Sequence, residues 1–263
     1  MDKTLRDFLM ISKYASKHPD FIQGGGGNTS IKKKNKMVIK GSGFFLEEID
    51  KYKGYVWVDI LTKKAIAEGP LRPSIETNFH LLLGKVVIHT HSIESTILAC
   101  SKNWKSIAKK VFKKIDIELV LIDYAHPGPE LAKLIKNGTK DLSKDKSIIL
   151  ILQNHGLIIS ANEANLAVGL HEIVHEKLSN NIKVKIVDNM PQNKYLTPDH
   201  VVYSMMKLDN QKKEIAFQET DFLAKAVAGS IPEFDEVNYL SDEEVDFIKN
   251  METEKHRQSI LNT

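Results

Sequence analysis

Two periodicities alternate along the chain. Leu5, Phe8, Leu9, Ile11, Tyr14 and Ala15 fall on one helical face, which predicts a helix over residues 2–18. "QGGGGNTS" then reads as a glycine loop. The short runs "TSI" and "MVIKG", joined by the polar "KKKNK", predict a hairpin turning near Asn35, and "YVWVDI" (55–60) predicts another strand. "RPSIETNFHLLL" predicts a helix opened by Pro73 and Ser74. "KVVIHTH" follows as a strand, "SIESTILACS" as a helix, "IELVLID" as a strand and "PELAKLIKNG" as a helix closed by glycine. "SIILILQNHGLIIS" reads as a buried strand pair broken at Asn154-His155-Gly156, with a long helix over about 161–179. This mixture predicts a layered α/β domain over residues 1–185. Residues 186–263 form an extension, expected to pack on that domain or on a neighbouring subunit. It carries "NKYLTPDHVVYSM" and a charged final helix in "SDEEVDFIKNMETEKHRQ".

Composition narrows the class. With 263 residues, 42% hydrophobic and 27% charged, the chain has an ordinary globular make-up and can bury a substantial core. A net charge of +3, spread over many Lys and Glu, gives no footprint for nucleic acid. The lysine clusters at 32–34 and at Lys109, Lys110, Lys113 and Lys114 are expected on the solvated surface. One cysteine, Cys100, allows no internal disulfide and favours a reducing compartment. "MDKTLRDFLMISKYASKH" has no uninterrupted apolar stretch of a secretory signal, and no run nears the roughly 20 residues of a membrane span. The expectation is a cytoplasmic protein acting on neither nucleic acid nor membrane.

Several residues carry chemistry. His89 and His91 lie two apart on a predicted strand, so both imidazoles leave one face. His155 sits in the strand break, where Gly156 is expected to let the chain turn sharply and project the imidazole into a cleft. Glu76 falls in the expected first turn of its helix. Alone, a strand-end histidine or a helix-start glutamate is usually structural. Together, three imidazoles and a carboxylate are the donor set of a zinc site with an exchangeable position. The hairpin would also bring the loop from Gly24 to Asn28 beside "KGSG", Lys40 to Gly43. Free backbone N–H groups, an amide, a hydroxyl and a lysine would then face one point, a nest suited to phosphate or carboxylate. Ser74 adds a hydroxyl near a helix start. "LHEIVHEKL" contains the H-E-x-x-H pattern of zinc proteases, His171 to His175, but no continuation follows, and it reads as a polar face of the long helix.

"GGGGNTS", "KGSG", "PSIE", "IHTH" and "QNHG", in this order, resemble the class II aldolase/adducin family over about residues 3–180. Its members include fuculose- and rhamnulose-1-phosphate aldolases, ribulose-5-phosphate epimerases and adducin head domains. "KGSG", "PSIET" and the tail "LTPDHVVY … EKHRQ" are most similar to the aldolase half of bifunctional, rhamnulose-1-phosphate aldolase-like aldolase/dehydrogenase proteins. The resemblance implies a three-layer α/β/α domain with a central, largely antiparallel sheet. It makes His89, His91 and His155 the ligands of Zn²⁺ or another divalent metal, and Glu76 the catalytic acid or base. Phosphate would be held by Gly27, Asn28, Ser42, Gly43 and Ser74, with Lys40 as a further anion contact. Tyr124, in "LIDYAHPGPELAKLI", is similar to a tyrosine that acts from a neighbouring subunit, which implies a homotetramer. Ile75 stands where "PSSE" members carry a second hydroxyl, and Lys40 where fuculose-type enzymes lack a charge; both departures bear on which anion is bound. The implied activity is a zinc-dependent aldolase that cleaves or forms a C–C bond in a sugar phosphate through a metal-stabilised enediolate. A sugar-phosphate epimerase or keto-acid phosphate decarboxylase would use the same donors. An adducin-like interaction module would not need them, so their presence argues against it.

Overall fold

Residues 1–67 and 69–252 are described by the structure, a computed structural model. Seven strands, β1 (Asn28–Lys33), β2 (Lys36–Lys40), β3 (Tyr55–Asp59), β4 (Val86–Thr90), β5 (Glu118–Ile122), β6 (Ile148–Leu152) and β7 (Gly156–Ala161), form one sheet. Their order is β3-β2-β1-β4-β7-β6-β5. All neighbours run antiparallel except β5 and β6, so the sheet is mixed but largely antiparallel.

Helices cover both faces: α1 (Lys3–Ala15), α2 (Thr77–Leu82), α3 (Ile93–Ala99), α4 (Trp104–Phe112), α5 (Pro129–Gly138) and α6 (Ala164–Ser179). The pleat decides which residue meets which layer. Ile88, Ile149, Ile151, Leu157 and Ile159 belong to the core shared with α1, α3, α4 and α6. Val87, Leu150, Leu152 and Ile158 belong to the core shared with α2 and α5. This is the expected three-layer α/β/α arrangement.

Beyond residue 186 come α7 (Pro198–Ser204), α8 (Gln211–Ser230) and α9 (Asp242–Asn250). Leu196, Leu223, Ala224, Val227 and Ile231 join the same buried cluster as the central strands. The α9 start is fixed by Ser241 and Glu244, whose side chains cap each other's backbone N–H. The part of the expected final helix from residue 253 onward lies outside the described residues.

Four local expectations are corrected. The helix after Pro73 opens at Thr77, with Glu76 at its cap position, because residues 72–74 are drawn into extended pairing with 40–42. Lys32 does not lie fully in solvent: its Nζ donates to the Leu81 carbonyl at the end of α2. α4 and α8 are helices that the apolar pattern did not announce. The buried Trp104, Ala108 and Phe112 of α4 are diluted by lysines, and α8 buries alanines more than large side chains.

The fourth concerns the β6–β7 turn. The left-handed residue is Asn154, with φ 51°, rather than Gly156. Gly156 is needed for space instead: a Cβ there would stand 2.4 Å from the Thr90 carbonyl oxygen on β4. Asn154 ties this turn to the extension, donating to the carbonyls of Leu196 (2.8 Å) and Asn238 (2.7 Å). Its Oδ1 accepts from the Asn238 amide at 2.7 Å. Asn154→Ala removes these bonds and puts alanine, which tolerates the left-handed region less well than asparagine, at this position. It should lower the unfolding free energy by about 3 kcal/mol, read as a lower urea midpoint.

Candidate metal centre and anion cleft

One end of the sheet collects the polar groups. β4 and β6 finish there and β1 and β7 begin, with Asn28 paired directly to His89 across the β1–β4 ladder. His89, His91 and His155 are all buried and offer one ligand atom each to a common point. His89 Nε2 stands 3.3 Å from His155 Nε2 and 3.1 Å from His91 Nε2. Ligand atoms held tetrahedrally at about 2.0–2.1 Å from an ion are themselves about 3.3–3.4 Å apart, so these two spacings suit a bound divalent metal. Glu76 stands beside the three rings: Oε2 lies 3.4 Å from His89 Nε2, and Oε1 lies 3.1 Å from His155 Nε2.

Electrostatics agree with that donor set. Burial pushes the His89 imidazole down to about 3, which leaves it neutral, the form that ligates metal. Burial works to raise the Glu76 carboxyl, yet the facing His89 and His155 outweigh it and hold it below the usual carboxylate range. Glu76 is also oriented. Asn28 donates to its Oε2 at 2.7 Å, while the other end of that amide bonds His80 Nε2. The remaining His80 nitrogen bonds Ser30 Oγ at 2.7 Å. Burial keeps His80 well below the ordinary histidine range, so it is a neutral link that fixes which way the Asn28 amide points.

The neighbouring cleft is lined by Gly25, Gly27, Asn28, Lys40, Ser42, Gly43, Ser74, Ile75, Glu76, His91, Pro127, His155 and Thr197 to Asp199. All the expected anion-site residues are therefore brought together. The glycine loop departs from expectation in detail. The Gly24 N–H is taken by Glu219 at 2.7 Å, that of Gly25 by the Tyr203 hydroxyl at 2.9 Å, and that of Gly26 by the Gln23 carbonyl at 2.9 Å. These three donors are spent within the protein. The Lys40 ammonium donates to the carbonyls of Gly25 (2.5 Å) and Phe44 (3.0 Å), which pins the two loops together. Ser42 Oγ, by contrast, is buried with no hydrogen-bond partner among the described residues.

Tyr124 does not line this cleft. It packs against the cluster of Phe45, Val201, Val202 and Tyr203, and its buried hydroxyl has no partner among the described residues. The H-E-x-x-H pair is also placed elsewhere. His171 is fully buried, not on a polar face, and links the Tyr14 hydroxyl (3.0 Å) to Thr90 Oγ1 (2.8 Å); His175 faces Glu94 at 3.5 Å. Three residues had no signal in the sequence reading. Asp199 Oδ2 stands 3.2 Å from His91 Nδ1, Tyr203 holds the glycine loop, and His80 orients Asn28. An acid just after a helix-opening proline is an ordinary dipole partner, so "TPDH" gave no reason to look further.

Comparison with known proteins follows the same lines. The class II aldolase and adducin N-terminal domain matches residues 10–181. The chain is 26% identical over 149 residues to an L-fuculose phosphate aldolase of Methanocaldococcus jannaschii, covering 52% of this chain and 74% of that one. It is 29% identical over 167 residues to the L-fuculose phosphate aldolase of Methanococcus vannielii, covering 59% and 83% respectively. Among solved structures it shares its fold with the N-terminal class II aldolase domain of a conserved protein from Thermoplasma acidophilum. That likeness has a TM-score of 0.58 at 21% identity, over 68% of this chain and 94% of the other. With the fold, the histidine cluster and a match spanning most of the chain in agreement, the protein belongs to the class II aldolase and adducin family.

Proposed function

We propose that this chain is a zinc-dependent aldolase that makes or breaks a C–C bond in a phosphorylated sugar. The observation that carries the reading is the convergence of three buried imidazole Nε2 atoms and the Glu76 carboxylate beside one cleft. Family membership makes the protein a metal-dependent lyase of the aldolase type. Relatives named as L-fuculose phosphate aldolases support a phosphorylated ketose as substrate.

His89, His91 and His155 would hold the ion, which when bound supplies Lewis-acid stabilisation of negative charge, worth several kcal/mol. The chain's own groups do the rest. As the C–C bond breaks, the neighbouring hydroxyl becomes the aldehyde carbonyl and gives up its proton. The Glu76 carboxylate takes that proton and delivers it to the carbon beside the ketone carbonyl, which keeps the electron pair. In the direction of synthesis the Glu76 carboxylate takes that proton back. Both carboxylate oxygens face the histidines, but Asn28 grips Oε2, so Oε1 is the one left without a hydrogen-bond partner among the described residues. Ser42 Oγ, buried without a protein partner, is the donor left over for a phosphate, with Gly27, Gly43 and Ser74 around it. Such a clamp turns binding energy into orientation of the reacting carbon.

Purified protein should therefore hold about one divalent ion per chain, zinc in preference. His155→Ala should lose it while His171→Ala retains it; elemental analysis of both variants checks this, and the reverse pattern would refute the site. Glu76→Gln should keep phosphorylated-substrate affinity and lower turnover by on the order of 10² to 10⁴ in an assay of dihydroxyacetone phosphate with an aldehyde panel. Undiminished turnover would remove Glu76 from the chemistry. Ser42→Ala should raise KM for a phosphorylated substrate by about tenfold, the worth of one lost hydrogen bond to a charged group, with little change for its unphosphorylated analogue. Equal effects on both would rule out a phosphate contact at Ser42.

A further inference from the structure

We infer that Asp199, contributed by the extension, is a positioning residue of the metal centre: it holds His91 in the tautomer and orientation that ligation requires. This rests on the reading of His89, His91 and His155 as a metal site. An imidazole that gives Nε2 to a metal carries its proton on Nδ1. An acceptor for that N–H fixes the ring plane and makes the ligand nitrogen more basic. The three rings differ in what they meet there. His89 Nδ1 bonds the Leu157 backbone carbonyl at 2.9 Å. His155 Nδ1 is buried without a hydrogen-bond partner among the described residues. His91 Nδ1 stands 3.2 Å from a carboxylate oxygen, Asp199 Oδ2, at ion-pair distance rather than in an aligned hydrogen bond, with both side chains more than nine-tenths buried.

The surroundings are shaped around this contact. Asp199 follows Pro198 at the start of α7, where Thr197 accepts from the His200 N–H and fixes the first turn. In the glycine loop, Gly26 is backed against the pair: a Cβ there would stand 2.5 Å from Asp199 Oδ2 and 3.0 Å from His91 Nδ1. Only a residue without a side chain leaves room for carboxylate and imidazole to meet. A buried carboxylate aimed at a ligand histidine, with space kept clear for it, goes beyond what is needed to dock a helix.

The test measures zinc affinity of the metal-stripped full chain by competition with a chromophoric chelator, alongside circular dichroism. Asp199→Ala should bind zinc about 10- to 100-fold more weakly, the usual effect of losing such an acceptor. Asp199→Asn, whose amide oxygen can still accept from Nδ1, should lose less. Val202→Ala, which opens a cavity in α7 without touching His91, should lower stability and leave zinc affinity unchanged. Gly26→Ala should weaken zinc binding by pushing the pair apart. Folded Asp199→Ala and Asp199→Asn proteins that both bind zinc within about twofold of the parent would overturn the inference. If Asp199→Ala does not fold, Asp199→Asn and Gly26→Ala decide it in the same way. A parent chain that takes up no zinc at all overturns the metal reading itself, which separates that failure from a failure of Asp199 alone.

Discussion

Holding three imidazole nitrogens 3.1 and 3.3 Å apart inside a protein is a demand that the surrounding backbone must meet. The rings cannot all be charged at that spacing, and burial keeps His89 neutral. None can be free to turn. Two antiparallel ladders meet the demand. β1 sets Asn28 against His89, and β7 sets Leu157 against Thr90, one residue from each flanking histidine. The close approach of Gly156 to the Thr90 carbonyl closes the gap between the β4 end and the β6–β7 turn. The central sheet is in this sense a jig for one polar cluster.

Much of this could be read from the chain, because short-range spacing reports on faces. His89 and His91 share a side through strand periodicity, and the hairpin around Lys34 and Asn35 brings its two ends together as expected. The His155 turn was legible as a break in a buried strand pair, although the left-handed position belongs to Asn154. What stayed hidden depends on contacts between residues far apart in sequence. His80 resembles any helical histidine until it is found bonded to both Asn28 and Ser30. Helix α8 escaped because its buried face is built from alanines such as Ala216 and Ala224, which carry little periodic signal. The buried H-E-x-x-H histidine shows the opposite failure: a motif in the letters whose side chain is already committed to Tyr14 and Thr90.

The extension is woven into the site's framework. Asn154, next to a candidate ligand, is anchored on Leu196 and Asn238. Tyr203 and Glu219 hold the glycine loop from the other side, and Glu219 also bonds His18 at 2.8 Å. Its helices act on the cleft through backbone groups that the first 185 residues leave unsatisfied.

The crowding around that loop limits how the protein can diversify. A methyl group added at Gly24 would meet Ala216 at 2.6 Å, at Gly25 the Tyr203 hydroxyl at 2.9 Å, and at Gly27 the Ile22 side chain at 2.6 Å. Random mutagenesis of the loop would mostly return misfolded or weakened proteins, because each position is hemmed in by the extension or the first strand's approach. Variation in substrate preference has to enter through wall positions that already carry side chains, Ile75, Pro127 and Thr197. A combinatorial library aimed at altered substrate preference belongs at those three sites, with the glycines left as they are.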